Sequence, residues 1–247
     1  MKDEEIDRIL RKSAESRLDA DRQAVDPIAA SIKNPVKASI RASLQPVRPL
    51  PPAWLLTALI ACVCAAIAFA AAAHSGFFGF EKMDTLERLL IFFALGALTL
   101  WAANHFVDEM IPGSRRRISA GALLAATVAV LLGILALLFR DYQTSQFVSA
   151  GIACLFTGLL YAIPAGLLSW LILRRGFAVN PVSAGLAAGT LAGLAGVSML
   201  ELHCPNFQAA HILVWHVAVV PVSAALGTLA GRILHLRSRR RSSATIV

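Results

Sequence analysis

The chain has 247 residues, of which 57% are hydrophobic and only 15% charged. A soluble domain carries about a quarter charged residues, so this composition excludes a purely soluble fold. The net charge of +8 does not point to nucleic acid: outside the first 50 residues the bases sit in short connections between apolar runs, where they set orientation in a membrane.

Residues 1–50 are the one sizeable polar stretch, and only seven acids lie beyond them. They do not open like a signal peptide, which would place a short basic region before an apolar core. "EEIDRILRKSAESRL" sets Ile6, Ile9, Leu10, Ala14 and Leu18 along one helical face, with charges of both signs on the remainder. Asn34 and Pro35 suit a second helix start, followed by Val36, Ile40 and Leu44 at four-residue spacing. "QPVRPLPPAW" then makes a stiff, extended approach to the membrane. Fifty residues are too few for a proper core. Two amphipathic helices with nothing to bury them predict a protein partner with a groove. For 36–44, with Lys37 and Arg41, an anionic lipid surface is an equal alternative.

Six apolar runs of membrane-spanning length follow, roughly 53–73, 86–107, 118–139, 147–173, 181–202 and 210–232. Pro164 predicts a kink or an early boundary in the fourth. The expected fold is all-α: a polytopic six-helix transmembrane bundle over 51–236, a short helical cytoplasmic segment over 1–50, and a basic tail over 237–247.

Lys and Arg alternate between rich and poor segments. Residues 1–50 hold ten, and the connection after the first span has Lys82. Then come Arg115, Arg116 and Arg117, Arg140 alone, Arg174 and Arg175, none over 203–209, and Arg237, Arg239, Arg240 and Arg241. Both termini are therefore expected in the cytoplasm, with the 203–209 connection facing outward. Gly185, Gly189 and Gly193 lie four apart in the fifth span, and Gly227 and Gly231 repeat the spacing in the sixth. Such faces let helices approach closely; packing within the chain is the expected use, and a homodimer the alternative.

Cys62 and Cys64, mid-span and about 200° apart on a helix, read as small apolar fillers. Cys154 falls about two turns inside the fourth span, and Cys204 at the outer end of the fifth, where Pro205 halts the helix. Both lie near the outer rim, where a bacterial cell permits disulfides; the spacing allows a bond without requiring one. Metal or haem ligation by His203, Cys204, His211 and His216 is the other use of these groups. Against it, His211 and His216 stand about 140° apart on an α-helix, and Trp215 suits an aromatic belt. Glu201, a carboxylate at an apolar helix end, is a functional candidate by its cost alone. No catalytic signature appears, so no enzyme, metal or cofactor is expected.

"LHCPNFQAAHILVWH…GTLAGRIL", "MIPGSRRR", "AGIACLF…LILRRG" and "PVRPLP" together resemble the NrsF family, six-span negative regulators of sigma factors, over roughly residues 44–236. The most specific piece is His203-Cys204-Pro205 followed by Trp215-His216. The resemblance implies an anti-sigma factor of the bacterial inner membrane. Its N-terminal segment would hold a sigma factor of the extracytoplasmic-function type, without touching nucleic acid itself. The resemblance does not extend to the first 43 residues; there the apolar face of Ile6, Ile9, Leu10 and Leu18, read from its helical spacing, is the expected contact. The family's two sensing cysteines fall on Cys154 and Cys204, in a sensor region containing Glu201, His203, Pro205, His211, Trp215 and His216. The alternatives are a small transporter using Asn104, His105 and Asp108, and a membrane redox protein using His203, His211 and His216.

Overall fold

The computed structural model describes residues 51–111, 118–142, 146–175 and 180–244, and positions 5, 8, 11–13 and 15 of the first 50. The chain divides into two compact units, Met1–Leu50 and Pro51–Val247. In the first, Glu5, Arg8, Arg11, Lys12, Ser13 and Glu15 are helical and exposed. Ile6, Ile9, Leu10 and Leu18 lie outside the described residues.

The second unit is a helical bundle. Its elements are α1 (Ala53–Ser75), α2 (Phe78–Lys82), α3 (Thr85–Met110), α4 (Ala120–Leu138), α5 (Phe147–Arg175), α6 (Pro181–His203), α7 (Ala209–His211), a π-helical turn (Ile212–His216) and α8 (Val217–Ala244). Six helical stretches are long and apolar enough to cross a membrane, and they coincide with the six expected runs to within a few residues. The protein is a multi-pass membrane protein.

Polar residues set the helix starts. Asp84 and Glu87 form a reciprocal capping box before α3, which satisfies two amide donors at once. Ser119 accepts from the Ala122 amide at the head of α4. Asn180 accepts from the Val182 and Ser183 amides, with Pro181 in the first turn of α6, where its missing N–H is harmless. Of the kink or early boundary expected at Pro164, the boundary does not occur: α5 continues through it, and a membrane helix tolerates the lost bond where neighbours support it. The expected tail is also helical up to Ala244, since no breaker interrupts its arginines, which favour helix.

Helix α6 is the hub: 78% of its span is buried, against 22–50% for the others. Its glycine face is spent inside the chain. A Cβ on Gly185 would strike the Gly227 carbonyl, one on Gly189 the Ser223 carbonyl, and one on Gly193 the Val220 backbone at 2.7 Å. The partners fall in descending order, so α6 and α8 run antiparallel with their backbones in contact. On α5, Gly158 meets Gly196 of α6 in the same way. Large apolar side chains such as Leu59, Phe93, Phe156, Leu160 and Leu229 stay exposed around the rim, as a surface in lipid requires.

Gly189→Leu should therefore cost at least about 1–3 kcal/mol through overpacking, lowering the melting temperature in detergent by several degrees. Gly133→Ala, where a Cβ meets nothing within 4 Å, should melt like the parent protein.

Candidate functional site

Cys154, Glu201, Cys204, His211 and His216 converge at one end of the bundle. Helix α6 stops at His203; the Cys204 amide still donates to the Leu200 carbonyl at 2.7 Å, and Pro205 then bars continuation. The chain returns through 204–208 into α7 and is lashed down on three sides. The Ala209 amide donates to the Asp141 carbonyl at 2.6 Å. Phe207 stacks on Phe139 with centroids 5.4 Å apart. Helix α2 lies against the end of α6, so closely that a Cβ on Gly79 would come within 2.7 Å of the Cys204 carbonyl and 2.8 Å of the Glu201 carbonyl.

The sulfurs of Cys154 and Cys204 are 3.4 Å apart, both as thiols. This is a contact between α5 and the cap of α6, not the roughly 2.05 Å of a disulfide. Cys204 also lies 3.7 Å from Nε2 of His211. The Cys204 thiol titrates above its ordinary range, first through its hydrogen bond with Cys154 and then through burial, while His211 and His216 oppose the rise.

The helical phase expected for the histidines needs correction. On an α-helix His211 and His216 would diverge. Between them, however, Ile212–His216 forms a π turn, whose i→i+5 bonding widens the helix and reduces the angle between a residue and its fifth successor. The two rings accordingly meet edge to face, with centroids 5.3 Å apart. Both are fully enclosed, at 0% and 1% exposure. Pro221, four residues past Val217, deletes a further helical bond, so the helix is irregular over this stretch.

Glu201 is 1% exposed. Its Oε1 accepts from Nδ1 of His216 at 2.8 Å. Its Oε2 and the Nε2 of His216 have no hydrogen-bond partner among the described residues. Glu201 also borders a void of about 10 Å³ lined by Ile91, Leu95 and Leu131, close to the lower limit for one water.

The other candidates serve the surroundings. His203 turns away: its Nδ1 meets the Gly76 carbonyl at 3.0 Å and its ring packs on Phe78. The exposed Pro205 offers its carbonyl to Lys82 at 3.4 Å. Trp215 packs on Phe147 and covers Gly151, where any Cβ would strike the indole. Neither Gly79 nor Gly151 stood out in the sequence, because a close approach between helices leaves no local pattern.

The polar residues of α3 make helix contacts. Asn104 donates to Asp108 at 3.4 Å, His105 meets the Ile118 carbonyl at 3.1 Å, and Ser183 donates to Glu109 at 2.7 Å. Two larger clefts, about 350 and 460 Å³, are lined mainly by apolar side chains, and neither includes Asn104, His105 or Asp108.

A family model described as negative regulator of sigma F, NrsF, matches residues 41–237. No curated protein and no solved structure matches the chain.

Glu201→Ala should strip His216 of its buried partner and cost about 1–3 kcal/mol, read as a lower melting temperature in detergent. Glu201→Gln keeps an acceptor and should cost less. A Glu201→Ala protein that melts like the parent would show that the pair contributes nothing to stability.

Proposed function

This chain belongs to the NrsF family, negative regulators of sigma F; from that premise we propose a membrane-tethered anti-sigma factor whose sulfur end is a redox sensor. The observation that carries the sensor reading is the 3.4 Å contact between the Cys154 and Cys204 sulfurs. Residues 1–50 hold the sigma factor at the inner membrane, with the apolar face of Ile6, Ile9, Leu10 and Leu18 in a groove of the partner. The sigma factor is of the extracytoplasmic-function type. Both termini are cytoplasmic, and the sulfur end looks outward. The Lys and Arg distribution supports this, being rich over 1–50, 115–117 and 237–241 and poor over 203–209.

The signal is a two-electron oxidation. A peroxide or an exchanging disulfide takes two electrons from the two thiols, two protons leave, and one S–S bond forms. The sulfurs must close by more than 1 Å to reach bonding distance, which draws the outer half of α5 onto the end of α6. Packed helices have discrete arrangements rather than a continuum. A shift of the hub helix therefore reaches the far end of the bundle and loosens the hold on the sigma factor.

Two outcomes test this. Cys204→Ser should abolish oxidant-induced, sigma-dependent reporter transcription while resting repression persists. Induction unchanged at equal protein level would refute the sensor. Leu10→Asp should raise the reporter without oxidant, with the chain still in the membrane; continued repression would place the sigma contact elsewhere.

A further inference from the structure

We infer that Cys154, Cys204, His211 and His216 form a binding site for a thiophilic divalent metal ion, Zn²⁺ by preference. The inference rests on the reading above only in taking both thiols as reduced.

The four side chains offer two sulfurs and two ring nitrogens, all within 4.8 Å of one another. In a tetrahedral zinc site the bonds are about 2.3 Å to sulfur and 2.0–2.1 Å to nitrogen. Those lengths put the two sulfurs about 3.8 Å apart and a sulfur and a nitrogen about 3.5 Å apart. The observed separations are 3.4 Å for Cys154 to Cys204 and 3.7 Å for Cys204 to His211. No pair is wider than 4.8 Å, so the widest closes by at most about 1.5 Å to reach tetrahedral spacing, a side-chain adjustment. Tetrahedral S₂N₂ is the donor set that selects zinc among common divalent ions, whereas calcium and magnesium demand oxygen.

The orphaned atoms point the same way. Nδ1 of His216 is committed to Glu201, which leaves Nε2 as the ligand atom, and that atom has no hydrogen-bond partner among the described residues. A carboxylate holding the far nitrogen of a ligating histidine is the usual outer support of a zinc site, fixing tautomer and ring orientation. His211 presents its Nε2 to Cys204, and its Nδ1 is likewise without a partner. The π turn is what adds His216 to the set; a regular helix would aim it elsewhere.

Binding balances charge in a buried place. One Zn²⁺ displaces two thiol protons, so two thiolates and one dication replace two neutral thiols. The ion would tie together α5, the cap of α6 and the α7–π segment. Cys154, half-buried, is the side from which an ion can arrive.

The test uses the full chain in detergent with a non-chelating reductant, stripped of metal and titrated with Co²⁺. The expected result is about one Co²⁺ per chain, with the strong visible bands of four-coordinate cobalt and a sulfur-to-cobalt charge-transfer band, all erased by added Zn²⁺. His211→Gln and His216→Gln should each weaken binding at least tenfold, and Cys154→Ser should diminish the charge-transfer band. Glu201→Gln should weaken binding by roughly 10–100-fold with the bands preserved. His203→Gln should change nothing. The inference is overturned if the parent protein, with both thiols reactive, binds no Co²⁺, gives only the weak bands of six-coordinate cobalt, or binds equally well as Cys154→Ser/Cys204→Ser. The parent protein's result stands whether or not a variant folds. A failed titration with the oxidant response intact removes the metal site alone; a metal-binding chain whose reporter ignores oxidant removes the redox sensor alone.

Discussion

Backbone contact between α6 and α8 is the constraint from which the rest follows. Lipid gives two apolar helices no hydrophobic reason to associate, so they associate by close packing. Here the glycines at 185 and 189 lie against 227 and 223, and any side chain would hold the helices apart. That antiparallel register brings the start of the last span alongside the end of the fifth. Glu201 and Cys204 on one side and His211 and His216 on the other meet as a consequence. A stripe of small residues near one end of the bundle thus fixes the chemistry at the other.

The same contact explains why so many polar groups tolerate burial. A carboxylate and two imidazoles would each be costly alone in an apolar setting, whereas the two thiols are not. Together they meet part of one another's needs: Glu201 accepts a hydrogen bond from His216, and Cys204 lies between Cys154 and His211. Glu201 Oε2 and His216 Nε2 remain without a hydrogen-bond partner among the described residues.

Much of this was legible in the sequence, for reasons that differ by element. The six spans are readable because a bilayer fixes length and hydropathy together, and the glycine spacing in α6 because a four-residue repeat marks one helical face. Glu201, Cys204, His211 and His216 could be singled out as candidates because such groups are rare in apolar surroundings. Their joint geometry could not. Counting at 3.6 residues per turn sends His211 and His216 apart, and nothing in "HILVWH" announces a π turn; Pro221 downstream is its one indirect sign. The short helix α2 and its contact through Gly79 were equally hidden, since they depend on where α6 ends in space. The helical continuation past 236 was missed because a run of arginines reads as a tail when only hydropathy is counted.

Cys154 and Cys204 stand side by side, and the proposed sensor requires them to be a reactive pair on the outer face. Disulfide mapping tests it most directly. Intact bacterial membranes are treated with a mild oxidant, remaining thiols are blocked, and the digested chain is read by mass spectrometry. The account predicts a peptide joined through Cys154 and Cys204, with Cys62 and Cys64 recovered as blocked thiols. Cys154 and Cys204 recovered unjoined, labelled from opposite sides of the membrane by an impermeant reagent, would contradict it.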